Sequence, residues 1–306
     1  MAASQKISLG TWSKAARLRT LPLAASSIIT GCALGWDKSE MPVAIFSLAL
    51  TTCILLQILS NFANDLGDYS KGTDNDGRIG PARALQSGTI SPRTMYNAIV
   101  ITGILSLISG LSLLYTAFSY AEGFLMPLFF FMVGLLAIAA AYKYTAGKSP
   151  YGYQGLGDIA VFLFFGIIGV MGSYYLQAKS WDPLVLLPAS TIGLFCVSVL
   201  NLNNMRDHVN DELSGKRTLV VRMGFVLAKK YHVAIHLAAW ICLATFETLV
   251  PGSPWRWIVF LPLPISLIHL GRVWRTTVPK ELDGELKKVA LSTFAISLLL
   301  LIVHWL

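Results

Sequence analysis

A short stretch in the first third of the chain, at 61–68, carries four side chains that could bind a metal ion through oxygen. These side chains are Asn61, Asn64, Asp65 and Asp68. On an α-helix, which turns about 100° per residue, Asn61, Asp65 and Asp68 lie on one face. This first stretch would therefore present a column of amide and carboxylate oxygens to whatever lies opposite.

A second stretch of the same kind occupies 203–211. Its polar side chains include Asn203, Asn204, Arg206, Asp207 and Asp211. Asn203, Asp207 and Asp211 follow one another at intervals of four residues, so they share one helical face. Stacked carboxylates repel one another unless a cation lies between them. Mg²⁺ prefers oxygen ligands and often shares substrate phosphates with one or two carboxylates, so we predict Mg²⁺ at this site, with two ions as the expected number.

Basic residues close to both stretches could contact the phosphate groups of a substrate. The predicted set comprises Lys71, Arg78, Arg83, Lys143, Lys148, Arg206 and Lys216, together with the amides of Asn203 and Asn204. Cationic side chains bind phosphate oxygens through short, charge-assisted hydrogen bonds. The cytoplasmic loops of a membrane protein are also rich in Lys and Arg for reasons of topology alone. The position of any one of these residues can therefore reflect either phosphate binding or membrane orientation.

The composition predicts an all-α integral membrane protein. Of 306 residues, 55% are hydrophobic and only 13% are charged, whereas a soluble domain has about 25% charged residues. A membrane-spanning helix needs about 20 mostly apolar residues. Nine segments qualify, at about 20–36, 42–66, 93–117, 122–142, 155–177, 183–206, 230–250, 255–274 and 288–306. Pro262 and Pro264 are expected to kink the eighth segment.

The positions of the basic residues predict the orientation in the membrane. Successive loops between the spanning segments lie on opposite sides of the membrane. All of the 24 lysines and arginines except Lys38, Lys179 and Arg256 fall on one of these sides. Because cytoplasmic loops are enriched in Lys and Arg, we expect this side to face the cytoplasm across the inner (cytoplasmic) membrane. The amino terminus and both oxygen-rich stretches are then cytoplasmic, and the carboxyl terminus is exoplasmic.

The two stretches end the second and the sixth segments, four segments apart. This spacing suggests a single domain over 1–306 with two pseudo-repeated four-helix halves, at about 12–145 and 150–275, and a ninth helix at about 286–306. Membrane proteins built from repeats often bind ligands between the halves. The sequence therefore predicts one site, formed by both stretches.

Two classes of function fit acidic stretches at such an interface. In a transporter for a divalent cation or a phosphorylated lipid, the acidic stretches would lie near the middle of the membrane, on broken helices. In this chain both stretches lie at the cytoplasmic edge, which favours an enzyme that acts on a diphosphate. The net charge of +8 comes from the basic loops, and no nucleic-acid partner is expected.

Paired Asn/Asp-rich motifs on the second and sixth of nine helices resemble the UbiA superfamily of intramembrane aromatic prenyltransferases. Further motifs resemble the branch of that family that acts on 1,4-dihydroxy-2-naphthoate: RTLPLA at 19–24, QILSN at 57–61, NDLGD at 64–68, KGTD at 71–74, RIGP at 78–81, PYGY at 150–153, GLGD at 155–158 and TLVVR at 218–222. The resemblance covers nearly the whole chain. Asp68 lies one residue short of the family's usual spacing, which leaves open which of Asn64, Asp65 and Asp68 contacts a metal directly.

The resemblance implies a reaction and roles for individual residues. It implies Mg²⁺-dependent transfer of a polyprenyl group from polyprenyl diphosphate to 1,4-dihydroxy-2-naphthoate, with loss of diphosphate and CO₂, to give demethylmenaquinol. Sister enzymes use 4-hydroxybenzoate or homogentisate instead. The implied catalytic and metal-binding residues are Asn61, Asn64, Asp65, Asp68, Asp207 and Asp211, with Asn203 as a further metal ligand. Tyr142, Tyr144 and Tyr151 are candidates to stabilise an allylic cation through their rings. Arg17, Arg19 and Lys148 are candidates to bind the carboxylate of the acceptor.

Overall fold

The computed structural model describes residues 7–75, 77, 79–118, 123–251 and 254–305, and these residues fold into helices joined by short loops. Nine helical segments within these ranges are long and apolar enough to cross a membrane, which confirms the predicted number. The predicted segments 122–142 and 288–306 include residues 122 and 306, which lie outside the described residues.

Twelve α-helices follow one another along the described chain. They are α1 (Leu9–Ala15), α2 (Leu21–Gly35), α3 (Pro42–Ser70), α4 (Pro92–Ala117), α5 (Leu125–Lys143), α6 (Gly157–Val161), α7 (Gly172–Ala178), α8 (Leu186–Leu213), α9 (Leu219–Met223), α10 (Phe225–Leu249), α11 (Leu263–Arg275) and α12 (Leu282–Trp305). A π-helical stretch, Phe162–Met171, joins α6 to α7, so the fifth span is one continuous helix with a wider middle.

The two helices that carry the oxygen-rich stretches are longer than their apolar segments. The apolar pattern predicts ends at 66 and 206, but α3 continues to Ser70 and α8 to Leu213. Hydropathy marks where the sequence stops being apolar, whereas the backbone hydrogen bonds of a helix continue through polar residues. Both stretches therefore lie entirely on helices, at one end of the bundle, which we call the polar end.

The eighth span is broken, as its prolines predict. A 3₁₀ segment, Pro254–Phe260, precedes α11, which begins only at Leu263 after Pro262. Proline lacks a backbone N–H and cannot continue the hydrogen bonds of the preceding turn. The prediction of a kink at this position is confirmed.

The ninth span, α12, packs against helices from both predicted halves. α12 packs along both α2 and α8. A buried apolar cluster joins Leu23 of α2, Val170 of the π-helical stretch, Ala189 of α8 and Ala290 of α12. The division into two four-helix halves stays a prediction, and α12 lies against helices of both.

Candidate active site

A cavity of about 620 Å³ opens between helices of both predicted halves. Apolar side chains from α2, α3, α4, α5, the π-helical stretch and α8 line most of it. At the polar end its wall contains most of the predicted residues: Arg19, Asn61, Asn64, Asp68, Arg83, Asn203, Asn204, Arg206, Asp207, Asp211 and Lys216. The cavity thus combines a charged end with a long apolar remainder.

Direct contacts join the two oxygen-rich stretches. Lys216 Nζ lies 3.5 Å from Oδ1 of Asp68 on α3 and 3.8 Å from Oδ1 of Asp211 on α8. Asn210 of α8 donates from Nδ2 to the carbonyl oxygen of Thr73, just beyond α3, at 2.8 Å. The structure therefore brings the two stretches together at one place, as the sequence predicts.

Tyr153 is a site residue that the sequence analysis did not single out. Its hydroxyl donates to Oδ1 of Asp68 at 2.7 Å and lies 2.7 Å from Oγ1 of Thr73. Burial, and then the charge of Asp68, raises the pKa of Tyr153, so the phenol keeps the proton that it donates. Lys216 lies over its ring at 5.2 Å. Its place in the PYGY motif at 150–153 was the available signal.

Asp65 is held by two arginines. Arg17 Nη2 lies 2.5 Å from Oδ1 of Asp65, and Arg83 Nη1 lies 3.5 Å from the same oxygen. Arg17 has a left-handed backbone (φ 51°) at the turn after α1, which aims its side chain at α3. Oδ2 of Asp65 is buried and has no hydrogen-bond partner within the described part of the chain.

The two asparagines of the first stretch make hydrogen bonds to neighbouring segments. Asn61 donates from Nδ2 to the carbonyl oxygen of Ala16 at 2.9 Å and to Oγ1 of Thr20 at 3.3 Å. Oδ1 of Asn64 accepts from the hydroxyl of Thr145 at 3.1 Å. These contacts hold the segment around α1 and the loop after α5 against α3. Metal binding by Asn61 and Asn64 stays a prediction.

Arg206 is almost completely buried, at 1% exposed, and pairs with three acidic or amide groups. Its guanidinium donates to both carboxylate oxygens of Asp207, at 2.9 and 2.6 Å, and to Oδ1 of Asn203 at 2.8 Å. Nη1 donates to Oδ1 of Asp283, in the first turn of α12, at 2.5 Å. Asp283 lines the cavity, and the sequence analysis missed it because nothing in the sequence relates α12 to α8.

Five predicted residues, Asp65 among them, lie outside the cavity wall, and one lies outside the described residues. Lys71 donates to the carbonyl oxygen of Gly147 at 3.0 Å, and Tyr142, Lys143 and Lys148 are exposed on or just after α5. Arg78 lies outside the described residues. Two tyrosines near Tyr142 do line the cavity, Tyr144 and Tyr151, with ring centroids 5.4 Å apart.

The donor set at the polar end suits a hard divalent cation. Carboxylates from both helices converge there, one carboxylate oxygen of Asp65 is buried without a partner among the described residues, and Asp68 and Asp211 already share the cationic Lys216. Mg²⁺ takes oxygen ligands and keeps several waters, so a few carboxylates next to a cavity are enough. The residues that would hold it are Asp65, Asp68, Asp207 and Asp211.

Gly67 allows α3 to lie against the loop that follows α5. A Cβ at this position would lie 2.6 Å from the backbone carbonyl atoms of Thr145 and from its Oγ1. We therefore expect Gly67→Ala to separate Thr145 from α3 and to destabilise the protein by about 1–3 kcal/mol, as overpacking does. The thermal unfolding midpoint in detergent should fall.

Gly271→Ala is the matched control for Gly67→Ala. Gly271 is also helical, and a Cβ there would meet no heavy atom of the described chain within 4 Å. Its unfolding midpoint should equal or exceed that of the unmodified protein. Equal midpoints for both variants would contradict the close packing at Gly67.

Comparison with known proteins agrees with this fold. The model of the UbiA prenyltransferase family matches residues 24–301. The chain is 42% identical to the 1,4-dihydroxy-2-naphthoate octaprenyltransferase of Escherichia coli K12, over 94% of this chain and 92% of the relative. It is 33% identical to the enzyme of the same name from Mycobacterium tuberculosis, over 91% and 93%.

Solved structures share the fold at low sequence identity. A UbiA homologue from Archaeoglobus fulgidus bound to GPP and Mg²⁺ matches 96% of this chain and 100% of its own, with a TM-score of 0.68 at 15% identity. The apo structure of a UbiA homologue from Aeropyrum pernix K1 matches 94% of this chain and 98% of its own, also at 0.68. The family model, these relatives and the nine apolar spans of the described chain together define an intramembrane prenyltransferase. The chain belongs to the UbiA prenyltransferase family.

Proposed function

We propose that the protein transfers a polyprenyl group from polyprenyl diphosphate to 1,4-dihydroxy-2-naphthoate. The bond between the first prenyl carbon and the diphosphate oxygen breaks, and a bond forms to the ring carbon that carries the carboxylate. The carboxylate leaves as CO₂, so the products are demethylmenaquinol and diphosphate. The names of the relatives support the naphthoate acceptor, and the cavity, charged at one end and apolar along the rest, is the observation that carries the proposal.

The charged end of the cavity is suited to a leaving diphosphate. Arg19, Arg83 and Lys216 line it and can donate to phosphate oxygens through charge-assisted hydrogen bonds. Mg²⁺, when bound by the carboxylates of α3 and α8, neutralises the negative charge that develops on the diphosphate. Two ions are proposed because two oxygen-rich stretches meet at this end. The Mg²⁺ in the Archaeoglobus fulgidus structure supports the choice of metal.

The apolar remainder of the cavity is suited to the prenyl chain and to the allylic cation. An apolar lining disfavours water, which would otherwise capture the cation before the acceptor does. Burial raises the pKa of Tyr144, with further contributions from nearby acids, so its ring stays neutral and electron-rich toward a cation. Of the three candidate tyrosines, Tyr144 and Tyr151 line the cavity and Tyr142 does not, so we propose the first two for cation–π contact.

The polar end is proposed to face the cytoplasm across the inner membrane. The basic residues gather at this end, and the relatives from Escherichia coli and Mycobacterium tuberculosis are bacterial. The amino terminus is then cytoplasmic and the carboxyl terminus exoplasmic. Both water-soluble components, the acceptor and diphosphate, would enter and leave on the cytoplasmic side.

An acceptor panel tests the proposed reaction. Purified protein in detergent, given octaprenyl diphosphate and Mg²⁺, should form a prenylated product with 1,4-dihydroxy-2-naphthoate, and a chelator should abolish it. Because 4-hydroxybenzoate and homogentisate lack the second apolar ring of the naphthoate and would bury less apolar surface, we expect kcat/KM for them to be at least about 10-fold lower. Product should be measured by chromatography and mass spectrometry.

Two outcomes would contradict the proposal in different ways. Faster reaction with 4-hydroxybenzoate or homogentisate would assign the protein to a sister activity of the same family. Mg²⁺ flux into liposomes without any prenyl transfer would favour the transporter that the sequence left as an alternative.

A further inference from the structure

Three histidines meet inside the bundle, away from the cavity described above. His232 and His236 lie one turn apart on α10, and His269 lies on α11. All three are buried, with at most 1% of each residue exposed. Their ligand nitrogens lie within 4.8 Å of one another. The reaction proposed above gives this cluster no role.

The hydrogen bonds around the cluster indicate which ring nitrogens carry protons. Oε2 of Glu285 lies 2.8 Å from Nδ1 of His269, so this nitrogen donates and Nε2 keeps a lone pair. Oδ1 of Asn201 lies 3.2 Å from Nδ1 of His232, which by the same reasoning also donates. The two Nε2 atoms lie only 2.8 Å apart. Two lone pairs facing at this distance repel unless a cation lies between them.

His236 supplies an independent observation. Both of its ring nitrogens are buried and have no hydrogen-bond partner in the described ranges. A polar group in that state is costly in an apolar interior, and natural proteins seldom leave one without a partner. Its ring centroid lies 5.2 Å from that of His269 and 5.7 Å from that of His232. An ion bound by all three imidazoles would satisfy His236 as well.

We propose that His232, His236 and His269 bind a Zn²⁺ ion. Three imidazoles are a common zinc ligand set, and a water molecule can complete the tetrahedron. Zn–N distances of about 2.0–2.1 Å put tetrahedral nitrogens about 3.3 Å apart, so the two facing Nε2 atoms need to separate by only about 0.5 Å. Mg²⁺ is excluded as the ion because it prefers oxygen ligands.

Glu285 fits the role of the outer partner of this ion. A carboxylate that accepts from the far nitrogen of a ligating histidine orients the ring and increases its basicity. The other oxygen of Glu285 accepts from Lys288 and, at 3.3 Å, from Arg272. Glu285 therefore orients His269, and the three residues whose ligand atoms converge are the histidines.

The proposed ion would fix the start of α12 relative to α10 and α11. Glu285 follows Asp283 by two residues, and Asp283 accepts from Arg206, which in turn holds Asp207 at the cavity wall. The zinc site is thus connected to the polar end of the cavity through one turn of helix. Its role is to hold these helices together, and it is independent of which acceptor the enzyme uses.

Metal titration of the full chain tests the proposal. The protein is purified in detergent through an affinity tag without histidine, stripped with a chelator and titrated with Co²⁺ as a spectroscopic probe. We expect one Co²⁺ per chain with the visible absorption of a tetrahedral ion, displaced by an equivalent of Zn²⁺ and not by millimolar Mg²⁺. Zn²⁺ should also raise the thermal unfolding midpoint.

His236→Phe separates metal binding from folding. Phenylalanine keeps the ring that packs edge-on against Phe195, at 5.0 Å between centroids, and removes only nitrogens that make no hydrogen bonds within the described chain. Its metal-free unfolding midpoint should not fall below that of the unmodified protein, while its affinity for Co²⁺ should fall at least about 100-fold. Glu285→Gln should weaken binding by about 10–100-fold.

His304→Phe is the matched control, since it changes a histidine at the opposite end of α12 and should leave Co²⁺ binding unchanged. The proposal is overturned if the unmodified chain binds neither Co²⁺ nor Zn²⁺ at micromolar concentration. That result would mean that the amide of Asn201 is rotated and the histidines form a hydrogen-bonded chain. Equal Co²⁺ affinity in His236→Phe and the unmodified chain would also overturn it.

Discussion

Replacing Asp68 with asparagine is expected to lower kcat/KM for prenyl transfer by at least about 10²–10³-fold without unfolding the protein. The substitution keeps the shape of the side chain, and the hydroxyl of Tyr153 can still donate to Oδ1. It removes the negative charge that, together with Asp211, attracts Lys216 and a divalent cation to the charged end of the cavity. Initial rates over a range of Mg²⁺ concentrations should show a higher Mg²⁺ requirement.

Glu212→Gln provides the control for Asp68→Asn. Glu212 is exposed, follows Asp211 directly on α8 and does not line the cavity. Its substitution removes the same charge within one residue of the site, and both activity and unfolding midpoint should match the unmodified protein. If Asp68→Asn keeps more than about a tenth of the normal activity, the carboxylate-based site for the cation is wrong.

Replacing Arg206 with leucine is expected to cause the largest loss of stability. Its guanidinium is buried and holds Asp207, Asn203 and Asp283 from two helices. Removing one partner of a buried ion pair leaves uncompensated charge and costs about 3–5 kcal/mol. The unfolding midpoint in detergent and the yield of inserted protein should both fall, and activity should be lost.

A lysine at position 206 separates the contribution of the positive charge to stability from that of the guanidinium's hydrogen-bond geometry. Arg206→Lys keeps the charge, but one ammonium nitrogen cannot reproduce the four hydrogen bonds that the planar guanidinium donates from three nitrogens, so we expect an intermediate midpoint. Arg217→Ala removes an exposed arginine from the loop after α8 and should change neither the midpoint nor the yield. A normal midpoint for Arg206→Leu would mean that Asp207 and Asp283 are solvated or protonated in its absence.

The acids of the site fall into two groups according to their partners. Asp65 and Asp207 are each paired with arginines, whereas Asp68 and Asp211 share Lys216. Loss of Asp207 is therefore expected to affect stability as well as chemistry, because Arg206 would remain buried.

Much of the architecture follows from the sequence alone because its causes are local. A run of about 20 apolar residues must become a helix in lipid, since only intrasegment hydrogen bonds satisfy the backbone there. That requirement yields the nine spans. Helical periodicity then puts Asn61, Asp65 and Asp68 on one face, and the positions of Lys and Arg put both oxygen-rich stretches at one end.

Only the tertiary structure decided which partner each site residue has. The contact between Tyr153 and Asp68 joins residues 85 positions apart, and that between Arg206 and Asp283 joins residues 77 apart. The histidine cluster likewise needs α10, α11 and α12 side by side. Hydropathy and periodicity describe each helix separately, whereas these pairings depend on the rotation and depth at which neighbouring helices pack. The sequence by itself determined where the polar groups lie along each helix, and packing determined that Asp68 and Asp211 share a lysine while Asp65 and Asp207 are held by arginines.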